Sequence, residues 1–104
     1  MKAKNEKEKN QIKLRFAVTI WKLLNNSSYE SAREFALDND MEPAHIQKLI
    51  REPKDLTLIT IVSLKDGLNI SMESLGLTYD SLTDDDYKNY SNYLKEQKKK
   101  SNLK

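Results

Sequence analysis

Two glycines and two prolines in 104 residues leave this chain few places to turn sharply. A β-sandwich or barrel needs many such turns, so the scarcity points to an all-helical fold. The length suits one small domain, which buries roughly two-thirds of the surface its unfolded chain exposes. The absence of cysteine excludes a disulfide framework and a thiolate metal centre, and a single histidine, His45, cannot anchor a zinc site alone. No metal or other cofactor is therefore expected. Apolar runs stay far below the ~18 residues of a membrane span, and Met1 to Asn10 is charged where a signal peptide is apolar. The expectation is a soluble, cytoplasmic protein with no membrane partner.

Helical periodicity divides the chain. Asn5 to Asn25 reads as one long helix, with Ile12, Phe16, Ile20, Leu23 and Leu24 at helical spacing and Leu14, Val18 and Trp21 widening the apolar surface. Asn25-Asn26-Ser27-Ser28 breaks it. Ser28 or Ser31, the latter with Glu34 three residues on, is the expected N-cap of a short second helix carrying Ala32, Phe35 and Ala36 on one face. Asp38-Asn39-Asp40 stops that helix, and Pro43, at a favoured first position, opens a third running to about Arg51. At about 100° per residue, Ile46, Leu49 and Ile50 share one arc while Ala44, Lys48 and Arg51 lie nearly opposite. Thr57 caps a fourth helix, Leu58 to Leu68, with Leu58, Ile61, Leu64 and Leu68 as its expected buried stripe. Ser71 opens a fifth, expected to end near Leu75-Gly76. Thr83 followed by three aspartates starts a tail helix in which Tyr87, Tyr90 and Leu94 share a narrow face. The implied organisation is a charged extension over 1–11, a helical domain over 12–78 and a tail over 79–104.

Charge is unevenly spread. Residues 1–25 carry seven bases against two acids, a net of +5; residues 26–80 carry five against ten, −5; residues 81–104 carry six against four, +2. An acidic middle between basic ends opposes strong phosphate binding by the middle alone and makes the lysines at the ends the expected source of compensation.

The residues Phe35-Ala36, Met41, Ile46 and Leu49, Leu56-Thr57-Leu58 and Leu68-Asn69-Ile70-Ser71 follow an order and spacing similar to a known family. The stretch from Ser31 to Leu75 resembles the helix-turn-helix domain of phage-repressor-like regulators, the Cro and Xre type. Matching positions there read Leu-Ala, an apolar turn residue, two apolar positions of the recognition helix, Thr-Leu, and Leu-Gly-Val/Ile-Ser. This chain differs in having Ala32 where the family often has glutamine, Leu24 for an arginine, Asp40 for a glycine, Pro43-Ala44 for a polar opening, and Ile50-Arg51-Glu52 for Glu-x-Gly. The resemblance implies a compact bundle of about five helices, lambda-repressor-like, plus a helical tail. It further implies a DNA-binding transcriptional regulator, dimeric, with residues 43–51 in the major groove. Ala44, His45, Gln47, Lys48 and Arg51 are then the base-reading candidates, and Ser31, Arg33 and Lys54 the phosphate contacts.

Each signal has a plainer counterpart. The polar arc of helix three is also what any solvated helix presents, and the Lys-rich ends also serve solubility. Trp21 and the tail tyrosines belong to a core or to a homodimer contact through helix one or the tail. Enzymatic activity is not expected: there is no glycine-rich phosphate loop, and three consecutive aspartates on a helix point in different directions. The alternative to duplex binding is a helix-turn-helix module, antitoxin-like or anti-repressor-like, that binds a protein partner and has little DNA affinity. The acidic middle and the Pro43-Ala44 opening favour that alternative.

Overall fold

A computed structural model of the chain describes residues 4–102, with side chains to residue 98. The described residues form six helices and no strand: α1 (Glu6–Asn25), α2 (Ala32–Asp38), α3 (Pro43–Arg51), α4 (Leu58–Gly67), α5 (Met72–Asp80) and α6 (Asp84–Asn102). The count is six rather than the five expected for the bundle, because α6 joins it. None of these helices is long and apolar enough to cross a membrane.

Side-chain capping sets most of the boundaries. Asn5, Ser31, Thr57, Ser71 and Thr83 each accept a hydrogen bond from the amide three residues on, at 2.8–3.2 Å. These bonds satisfy amides that the helical ladder leaves unpaired. At α6 the box is reciprocal, Thr83 N–H donating to Asp86 at 2.9 Å. α3 is the exception: Glu42 precedes it without a side-chain cap and Pro43 takes its first turn.

Two turns are closed by the same device. After α2, Met41 N–H donates to the Ala36 carbonyl at 2.8 Å and Asp40 N–H to Leu37 at 3.4 Å. After α4, Ile70 N–H donates to Lys65 at 3.1 Å and Asn69 N–H to Asp66 at 3.0 Å. Both are Schellman motifs, and each places one residue in the left-handed region: Asp40 at φ 55° and Asn69 at φ 59°. Aspartate and asparagine tolerate that conformation better than other non-glycine residues.

The core draws on every helix. Val18 and Ile20 of α1, Phe35 and Ala36 of α2, Ile46 and Ile50 of α3, Leu64 of α4, Leu75 of α5 and Tyr90 of α6 are all buried. α2 and α3 form the closest-packed pair, and α1 runs beneath α3, α5 and α6. Two polar links bind α1 to the later helices. Lys22 Nζ pairs with Asp86 at 2.9 Å, and the Thr83 amide, followed by this lysine, holds that carboxyl below its usual range. Arg15 Nε donates to the Tyr79 carbonyl at 2.6 Å, its guanidinium 5.1 Å from the centre of the Tyr79 ring.

Two sequence expectations are corrected. α5 does not stop at Leu75-Gly76 but runs to Asp80. Gly76 keeps a negative φ, so it does not act as a left-handed terminator, and the Arg15 contacts pin the following turn to α1. In α4 the expected stripe is only partly buried. Leu64 is enclosed and Ile61 and Leu68 pack partly against the core, but Leu58 is 67% exposed at the first helical position. α4 is apolar on nearly every side, so periodicity alone does not select its inward face.

Candidate nucleic-acid interface

α3 has the phase read from its sequence. Ile46, Leu49 and Ile50 are buried, and Ala44, His45, Gln47, Lys48 and Arg51 are exposed. Its far end is held from α6: the Tyr90 hydroxyl donates to the Ile50 carbonyl at 2.5 Å, inside the core. That carbonyl lies in the last turn of α3, where no further helical amide follows to donate to it. Burial pushes the Tyr90 phenol up to about 12. Arg51 Nε folds back to the Gln47 carbonyl at 3.4 Å, so the two side chains share one edge of the helix.

The candidate residues fall into four neighbourhoods. Ser31, Arg33, Gln47 and Arg51 line one cavity of about 390 Å³, whose remaining walls come from the end of α1 and from Tyr93 and Gln97 of α6. His45 lies along the other edge of α3, in a groove with Asp40, Glu42, Asp66 and Ile59. Lys54 is half-buried away from both, beside Lys13 and Leu56 under the α3–α4 link. Lys48 stands exposed on the outer surface of α3. Ser31 spends its hydroxyl oxygen as the α2 cap. Of the basic ends, Lys2, Lys99, Lys100 and Lys104 lie outside the residues whose side chains are described.

The cavity is cationic and partly aromatic. Among the described residues, neither Arg33 nor Arg51 lies in an ion pair, although Glu30 borders the same space. Trp21 and Tyr93 both line it, with ring centroids 5.9 Å apart, tilted by 44°. Burial raises the Tyr93 phenol, and the nearby Arg51 charge opposes that shift. Arg51 also borders a second depression shared with Lys95 and Lys98, so positive charge continues along α6.

Sequence reasoning missed Asn25, Tyr93 and Gln97 as partners of this surface. Tyr93 and Gln97 are four apart on α6, which places them on one side of that helix, but only tertiary packing brings that side to α3. No cluster of three or more metal-ligating side chains exists among the described residues. No protein-family model, curated protein or solved structure matches the chain.

Proposed function

We propose that this protein is a DNA-binding transcriptional regulator with a lambda-repressor-like helix-turn-helix, in which α3 enters the major groove. One observation carries the reading: α3 buries Ile46, Leu49 and Ile50 and exposes Gln47, Lys48 and Arg51 on a continuous outer surface. Gln and Lys suit purine edges, and Arg51 with Arg33 suits phosphate. The two left-handed residues add support. Asp40 and Asn69 stand where the resembling family has glycine, and glycine is the residue most at ease in that conformation. Lys54, being half-buried, takes at most a marginal part, and His45 in its acidic groove is the weakest of the base-reading candidates.

The experiment is a duplex titration across salt. Binding through phosphates weakens by about 0.9 log units per log unit of salt for each phosphate neutralised. Lys48→Glu is expected to abolish sequence-specific binding while helix content and melting stay those of the parent. A Lys48→Glu protein that binds like the parent removes α3 as the reading element.

A second reading has its own observation. Leu58 is 67% and Ile59 80% exposed at the start of α4, and Ile59 borders the groove that holds Asp40, Glu42 and Asp66. An acidic, apolar border suits a basic protein segment better than a phosphate backbone. Absence of duplex binding at about 50 mM salt selects this interaction module over the regulator.

A further inference from the structure

The cavity beside α3 is built more elaborately than a duplex phosphate contact requires. Four helices line it, two of them with arginines, and the same lining includes the aromatic rings of Trp21 and Tyr93 and the amides of Asn25, Gln47 and Gln97. We propose that it binds a nucleoside monophosphate. Arg33 and Arg51, unpaired among the described residues, present forked donors that match a phosphate monoester dianion. Trp21 and Tyr93 both line the cavity, and the π-face of a planar base stacks on aromatic side chains of this kind. Asn25, Gln47 and Gln97 supply both donors and acceptors, as a base edge requires. The volume of about 390 Å³ falls at the low end of the range for small-ligand sites, which fits one nucleotide and not a dinucleotide cofactor. Glu30, which also lines the cavity, opposes further negative charge, so a monophosphate is favoured over a triphosphate.

The site shares Arg33, Gln47 and Arg51 with the surface proposed for duplex DNA, but the proposal does not require duplex binding and is measured without DNA. The full chain is titrated by calorimetry with each of the four ribonucleoside 5′-monophosphates, with ribose 5-phosphate and with the free nucleosides. Trp21, the sole tryptophan, gives a parallel fluorescence signal from the cavity lining. Saturable binding of at least one monophosphate is expected, with Trp21 emission altered at the same midpoint. Arg51→Gln and Arg33→Gln are each expected to weaken it about tenfold or more at unchanged helix content and melting. Ribose 5-phosphate and the nucleosides are expected to bind more weakly than the nucleotide. The proposal is overturned by no saturable binding up to about 10 mM, by ribose 5-phosphate binding as well as any nucleotide, or by folded arginine variants that bind like the parent. A parent that binds nucleotide but no duplex refutes the regulator and leaves this site standing.

Discussion

Replacing Tyr90 with phenylalanine isolates one bond that fixes the C-terminal end of α3. The ring is 2% exposed and packs edge-on against Trp21 at 5.9 Å, so its apolar contacts survive the change. What disappears is the hydroxyl that donates at 2.5 Å to the Ile50 carbonyl. A typical intramolecular hydrogen bond contributes about 0.5–1.5 kcal/mol net, and a buried acceptor left without its donor costs about 1–3 kcal/mol. The expected loss is about 1–2 kcal/mol. For a domain of this size each kcal/mol moves the melting midpoint by about 4–8 °C, so a drop of about 5–15 °C is expected. Urea and thermal unfolding followed by far-ultraviolet circular dichroism measure it. Tyr93→Phe is the control, since its hydroxyl makes no hydrogen bond among the described residues, and a change below about 0.5 kcal/mol is expected there. A Tyr90→Phe protein as stable as the parent would show that the bond does not hold α3 in solution.

The remaining predictions concern pH, glycine and backbone strain. The buried Tyr90 phenol sits at about 12 against about 10 when unfolded, so the native state keeps a proton that the unfolded state loses. Its contribution is full below pH ~10 and declines between about 10 and 12; urea midpoints over this range should fall more steeply in the parent than in Tyr90→Phe. Alanine at Gly67 would place its Cβ 2.9 Å from the Phe35 ring and from Asn39 Cγ, and Phe35 is fully buried. Gly67→Ala should therefore lower stability by about 1–2 kcal/mol, whereas Gly76→Ala, with open space in mid-helix, should raise it by up to about 1 kcal/mol. Equal signs in chemical denaturation would refute the contact. At φ 55°, Asp40→Gly should leave stability within about 0.5 kcal/mol, while Asp40→Val should lower it by about 1–2 kcal/mol, both read from thermal midpoints.

The legible parts of this molecule are those in which local and tertiary demands agree. α3 alternates aliphatic and polar residues cleanly, so its buried arc follows from the sequence. The caps at Thr57, Ser71 and Thr83 are equally plain, because a hydroxyl before a helix has one obvious partner, whereas at α2 the sequence leaves Ser28 and Ser31 both open and the fold selects Ser31. α4 was opaque for the opposite reason: with Leu58, Ile59, Ile61, Val62 and Leu64 in seven residues, every direction looks inward. Gly76 misled because glycine permits a left-handed stop without imposing one. The cavity was invisible for a different reason. Its walls span Trp21 to Gln97, and no spacing rule connects residues 76 positions apart.

The Lys22–Asp86 pair and the Tyr90–Ile50 bond together form a brace that runs from α1 through α6 to the exit of α3. The attitude of the outward helix is thus governed from a segment some forty positions downstream. A fragment ending at residue 80 would contain α1 to α5 yet lack the strut that orients α3. Truncation before Tyr90 removes both the hydroxyl that caps the Ile50 carbonyl and a buried ring, so a shortened chain gives up this restraint on α3 unless another donor replaces it.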